Sequence, residues 1–183
     1  MSSDIALVLR AAEYAAHKHR RQRRKGSTKR PYIGHCIEVA RLIAQVAKVN
    51  DGNILAAAIL HDTVEDTRTT PEDIRNEFGR PVEDLVREVT DNKMLDRKER
   101  KEMQVQKAPT LSPGAKLIKL ADKISNVREI GSDPPEKWDD ERRHEYFEWA
   151  KRVVAAMGEV NPELEAHFAS VVDASIEMIA EED

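Results

Sequence analysis

Apolar residues in this 183-residue chain recur at helical three- and four-residue spacing nearly from end to end, and no stretch shows the strict alternation of a half-buried strand. An all-α fold follows. That length supports one sizeable core rather than two, so residues 1–183 are expected to form a single compact multi-helix domain. The spacing predicts helices over Asp4–Arg23, His35–Val49, Gly52–Thr67, Pro71–Phe78, Pro81–Thr90, Pro113–Ile130, Asp139–Val160 and Pro162–Ala180. Thr70-Pro71 with Asp73, and Ser112-Pro113, carry the cap-then-proline pattern of helix starts, and Gly79 and Gly131 stand where helix stops are expected. Asp91–Leu111 is charged and weakly apolar, which suits a surface helix or long loop.

No apolar run approaches the roughly 20 residues that span a bilayer. The opening segment carries Asp4 and periodic apolar residues, so it reads as a first helix rather than a secretory signal. Cys36 is the single cysteine and has no internal partner for a disulfide, which points to a reducing compartment and a cytoplasmic location. A net charge of −4 argues against a dedicated nucleic-acid binder, yet Lys18–Arg30 is densely basic. Two readings of that run stand: a solvated helix end complementing the helix dipole, or a cationic edge for a phosphorylated substrate beside the next motif.

Polar residues interrupt the apolar helices at four places where burial would be costly without a partner. They are His35 in PYIGHCIEVARLI, His61 and Asp62 in LAAAILHDTVEDT, and Asp122 in AKLIKLADKISNVREI. On a continuous helix Glu65 lies one turn beyond His61, and Asp66 one turn beyond Asp62. That places a carboxylate about 6 Å from each, the level at which a general base would meet water on an ion. Two carboxylates ending a helix oppose its dipole, so stability alone does not favour them. Asp122 by itself fits a buried salt bridge to a lysine equally well, and His35 by itself a helix cap. Taken together, two imidazoles and two carboxylates form a mixed nitrogen and oxygen shell compatible with Mn²⁺, Fe²⁺ or Zn²⁺, with the carboxylate content favouring manganese.

The order His35, His61-Asp62, Asp122 resembles the H…HD…D pattern of HD-domain phosphohydrolases. The flanking RRK, TKRPYIGH, AAAILHDTVEDT, SPGAKLIKLADKISNVREI and HEYFEWA resemble the hydrolase domain of RelA/SpoT proteins, most of all the stand-alone small alarmone hydrolases of the metazoan SpoT homologue group. The resemblance implies an all-α HD-domain fold and manganese-dependent removal of the 3′-diphosphate of guanosine tetra- or pentaphosphate as pyrophosphate. It implies metal binding by His35, His61, Asp62 and Asp122, water activation by Glu65 and Asp66, and substrate contacts from Arg24, Lys25 and Asn126. Cys36 stands where the family commonly has proline, and Ser125 where it has an aromatic or bulky residue. Beyond the hydrolase motifs no synthetase sequence is recognised, so the chain is expected only to degrade. Two alternatives accompany this reading: an HD enzyme acting on another nucleotide's phosphate, and a non-catalytic helical module that binds RNA or a partner.

Overall fold

The computed structural model describes residues 2–182, and the described residues form ten α-helices. In order they are α1 (Ser2–Lys18), α2 (Ile33–Gln45), α3 (Gly52–Leu60), α4 (Thr63–Asp66), α5 (Pro71–Phe78), α6 (Arg80–Val89), α7 (Arg97–Lys107), α8 (Pro113–Ser132), α9 (Asp140–Ala156) and α10 (Pro162–Glu182). A 3₁₀ turn, Ala108–Thr110, joins α7 to the next segment. Among the described residues there is no strand, only an isolated antiparallel bridge between Arg23 and Pro31. No described helix is long and apolar enough to cross a membrane.

Two helices set the centre. The sequence of α3, GNILAAAIL, is apolar all round, which obliges other elements to enclose it. Its small side chains Ala56, Ala57 and Ala58 are wholly buried as α1, α2 and α6 pack around it. The longer α8 buries Leu117, Ile118, Leu120, Ala121, Ile124 and Val127 against α2, α6, α9 and α10. Each fully enclosed side chain such as Leu60 or Ile118 contributes roughly 1.5–3 kcal/mol. His61 and Asp62 follow directly on α3, His35 lies in the first turn of α2, and Asp122 lies midway along α8. Packing these three elements together therefore brings the four polar side chains inside.

Several boundaries depart from the helical spacing. Instead of running to Arg23, α1 ends at Lys18; His19 turns inward and the basic run leaves the helix as a loop closed by Arg24 N–H donating to Arg30 O (2.9 Å) and Tyr32 N–H to Gln22 O (3.2 Å). Tertiary closure here overrides the helix propensity of the arginines. At the end of α2 the chain stops at Gln45 rather than Val49, because Lys48 takes a left-handed φ of 58°. The helix expected over Gly52–Thr67 is broken at His61-Asp62, where Asp62 has ψ −3°. Its carboxylate is held by the Tyr32 hydroxyl at 2.5 Å, a partner that helical spacing along α3 alone does not foresee. Starting at Asp140, α9 uses Asp139 as its cap and stops before Gly158, which adopts φ 69°.

Asp91–Leu111 contains α7, opened by a reciprocal capping box between Asp96 and Glu99, with no fully buried residue along it. Thr70 and Asp73 form the expected capping box of α5, Ser112 caps α8, and Gly79, with φ 88°, joins α5 to α6. Gly131 is not a stop. It lies inside α8, where a Cβ would come 2.6 Å from Cβ and Oγ of Ser175 on α10, so it permits a close helix crossing. The end of α8 is instead closed by Arg143, whose guanidinium donates to the carbonyls of Ile130 (3.2 Å) and Gly131 (2.8 Å). Gly131→Ala is expected to destabilise the fold by about 1–3 kcal/mol through overpacking. Urea denaturation measures this, and an unchanged midpoint would mean that α10 yields freely.

Candidate active site

His35, His61, Asp62 and Asp122 converge. Ligand-type atoms of His35, His61 and Asp62 all lie within 4.8 Å of one another. His61 Nε2 is 3.0 Å from Asp62 Oδ2 and 3.6 Å from Asp122 Oδ1; His35 Nε2 is 3.6 Å and 3.3 Å from the same two oxygens. Neither Nε2 has a hydrogen-bond partner, although both histidines are buried. His61 Nδ1 lies 2.8 Å from the Ala58 carbonyl, which can only accept, so that nitrogen keeps a proton and Nε2 is the nitrogen at which a cation would replace the second one. Two buried, unpartnered imidazole nitrogens facing two carboxylates fit a divalent cation. These side chains would hold it.

The charges are strongly biased. Burial alone would lower His61, but the carboxylates of Asp62 and Asp122 outweigh it and push the imidazole up to about 10. Burial likewise opposes ionisation of Asp62, yet His61 and His35 hold it well below the usual carboxylate range. Lys123 and the two histidines do the same for Asp122. The lysine partner expected of Asp122 is present, its Oδ2 accepting from Lys123 Nζ at 3.0 Å, while Oδ1 faces the histidines.

A cleft of about 500 Å³ opens above this cluster. Tyr32 and Asn126 line it and reach down to the carboxylates, the Tyr32 hydroxyl to Asp62 and Asn126 Nδ2 to Asp122 Oδ1 at 2.7 Å. Glu65 and Asp66 line it as well, each anchored. Glu65 Oε2 accepts from the Asp91 amide at 3.1 Å, and Asp66 accepts from Gln22 Nε2 at 2.9 Å and Lys93 Nζ at 2.7 Å. Burial, together with the nearby charge of Asp91, raises Glu65 above the ordinary 4.5. Arg24 donates to Glu129 and, at 2.9 Å, to Asn126 Oδ1, so it reaches Asp122 through one intermediate; Lys25 stands exposed on the rim. The loop carrying both is pinned where Asp133 accepts from Ser27 N (2.7 Å) and Ser27 Oγ (2.8 Å).

The opposite wall was not foreseen. Arg97, Arg100, Lys101 and Arg142 line it, with Arg97 and Arg142 over Trp138 and Lys101 over Trp149 and Tyr146. Burial and the charges of Arg142 and Arg100 lower Arg97, and burial with the Arg97 charge lowers Lys101, so like charges crowd this part of the cleft. Tyr32 and Lys123 were missed too. Each left a trace: Tyr32 stands one helical turn before His35, and Lys123 is a cation inside an apolar ridge that ends up 3% exposed against Trp149.

Comparison with known proteins agrees with this arrangement. A family model described as an HD domain matches residues 11–153. The chain is 51% identical over 165 residues to proteins of Mus musculus and of Homo sapiens, both named guanosine-3′,5′-bis(diphosphate) 3′-pyrophosphohydrolase MESH1, covering 90% of this chain and 92% of each relative. Its fold superposes with a TM-score of 0.89 on a solved structure, 44% identical over 92% of this chain and 94% of that one, described as a metazoan orthologue of SpoT that hydrolyses ppGpp and plays a role in starvation responses.

A pH dependence follows from the charge bias of the metal-free cluster. His61, raised from the ordinary 6.5 to about 10, adds stability that is full below pH 6.5 and lost as pH rises through 10. Asp62 and Asp122 act oppositely, losing their contribution as pH falls below the ordinary 3.8. In urea denaturation of metal-stripped protein, the stability gap between wild type and His61→Gln is expected to narrow as pH rises from 6.5 to about 10. A gap that stays constant would refute the coupling.

Proposed function

The chain belongs to the HD domain family, and from that premise we propose that it is a metal-dependent hydrolase removing the 3′-diphosphate of guanosine 3′,5′-bis(diphosphate) as pyrophosphate. The product is GDP, or GTP from the pentaphosphate, which makes the chain a guanosine-3′,5′-bis(diphosphate) 3′-pyrophosphohydrolase. The observation that carries the reading is the pair of unpartnered Nε2 atoms facing Asp62 and Asp122 beneath a cleft with carboxylates on one side and cations on the other. In this reading residues 1–183 act as one domain, turning over an alarmone in the cytoplasm. The buried, unpaired Cys36 suits that compartment.

His35, His61, Asp62 and Asp122 would hold the ion; their mixed donors suit Mn²⁺, Fe²⁺ or Zn²⁺, and the carboxylate content favours Mn²⁺. When bound, a divalent ion supplies charge neutralisation at phosphoryl oxygen and a more acidic water. Glu65 accepts the proton of the attacking water, a role suited by its raised carboxyl. Asp66, fixed by Gln22 and Lys93, orients that water. Water is consumed, the ribose 3′ hydroxyl is restored with a proton, and pyrophosphate leaves. Arg24 and Lys25 contact base and phosphates from one rim, while Asn126, tied to Asp122, borders the ribose. Arg97, Lys101 and Arg142 face the remaining anionic groups through charge-assisted hydrogen bonds.

Incubation of the protein and Mn²⁺ with guanosine tetraphosphate is expected to yield GDP and pyrophosphate. Orthophosphate as the product, or no turnover with any divalent ion, contradicts the reading. Glu65→Gln and Asp66→Asn are expected to lower kcat by about 10²- to 10⁴-fold with bound metal retained. The acid limb of kcat, set above 4.5 by Glu65, should vanish in Glu65→Gln. Arg24→Ala should act mainly on KM, since it removes contacts made already in the ground state. Loss of metal from both amide variants would place the carboxylates in the ion's inner shell.

A further inference from the structure

His35 is held from behind by a device that His61 lacks. Its Nδ1 lies 2.8 Å from Oγ of Ser125, a residue of α8 that is 3% exposed. The same Oγ lies 2.6 Å from Glu38 Oε2, on the turn of α2 that follows His35. A carboxylate accepts and does not donate, so the serine proton goes to Glu38. The serine oxygen then has lone pairs left for His35, and Nδ1 must be the donor. His35 is thereby set in one tautomer, with the lone pair of Nε2 aimed at the space shared with Asp62 and Asp122. For His61 the Ala58 carbonyl achieves the same end in a single step.

Glu38 is itself fixed. Arg128 of α8 donates to its Oε1, with Arg41 3.7 Å from the same oxygen, and Arg128 also reaches His167 Nε2 on α10 at 2.9 Å. Ser125, Glu38, Arg41 and Arg128 line, with His35, a second cavity of about 310 Å³, which borders the cleft at Arg24 and Glu129. None of these groups lines the larger cleft, and a hydroxyl and a carboxylate are costly occupants beside a buried imidazole unless each has its partner.

We propose that Ser125 and Glu38 are positioning residues of the metal centre, a carboxylate–hydroxyl–imidazole relay that presents His35 Nε2 to the ion. The relay rests on the metal reading above. Outer partners of this kind contribute to metal affinity because the ligand neither reorients nor changes tautomer on binding.

The test is Mn²⁺ titration of the metal-stripped protein, followed by the electron paramagnetic resonance signal of free Mn²⁺, with no nucleotide present. Ser125→Ala and Glu38→Ala are each expected to weaken Mn²⁺ binding about 10- to 100-fold. Ser125→Thr keeps the hydroxyl and should restore affinity to within about threefold of wild type. Melting temperatures of the metal-free variants are measured alongside. If Ser125→Ala and Glu38→Ala melt lower yet bind Mn²⁺ like wild type, the relay only ties α2 to α8 and the proposal is overturned. It is overturned equally if Ser125→Thr binds as poorly as Ser125→Ala. Should Ser125→Ala not fold, Glu38→Ala decides, since its side chain is 27% exposed and the change leaves the core intact. Wild-type protein that takes up no Mn²⁺ would overturn the metal reading together with the relay, whereas uptake with insensitive variants removes the relay alone.

Discussion

Four side chains whose charges meet, with His35, His61 and Asp122 buried and Asp62 partly so, are the constraint on which the rest of this structure depends. Two imidazole Nε2 atoms and two carboxylates meet at 3.0–3.6 Å inside an apolar core. Such a group is stable only when neutralised, by a shared proton or by a cation, and only when its members cannot swing apart. The fold meets the second condition through the crossing of α2, α3 and α8. The alanine run of α3 lets neighbouring backbones approach closely enough for histidines on different helices to face each other with ring centroids 5.2 Å apart.

Around that centre the polar partners fall into two groups. At the front Tyr32, Asn126, Glu65 and Asp66 look into the substrate cleft while holding or adjoining the carboxylates. Elsewhere the Ala58 carbonyl, Ser125 and Glu38, none of which lines the cleft, hold the Nδ1 atoms of the imidazoles. Among the cationic side chains, those of α7 and α9 line the cleft, Arg128 lines the second cavity, and Arg24 borders both.

The convergence of His35, His61, Asp62 and Asp122 was legible because each breaks an apolar helical ridge, a local conflict that only a distant partner resolves. The helix starts at Pro71 and Pro113 were legible for a similar reason, since cap and proline act within four residues. What could not be read from spacing was set by contacts far apart in sequence. Asp62 leaves helical geometry next to a hydroxyl thirty residues earlier, His19 turns inward to end α1, and Gly131 serves a helix crossing rather than a helix end. The cations of α7 looked like an ordinary solvated face because the aromatic residues they cover, Trp138, Tyr146 and Trp149, lie some forty residues on. Ser125 stood out only as a departure from pattern; its meaning lies in Glu38, on another helix.

The wall and the floor of the cleft differ in one further respect. No residue of α7 is fully buried, and the helix is tied down by surface contacts such as Trp149 Nε1 to the Lys101 carbonyl (3.0 Å) and Arg152 to Glu102 (2.8 Å). Its apolar contacts are Val105 against the core and Lys101 over Tyr146 and Trp149, fewer than those of α3 and α8, so it belongs lower in the protein's range of local opening energies than they do. Substitutions in the floor are therefore judged by folding and by chemistry at once, but those in the wall by recognition alone. Sequence drift can retune which anion the site accepts by altering α7, without endangering the centre that does the work.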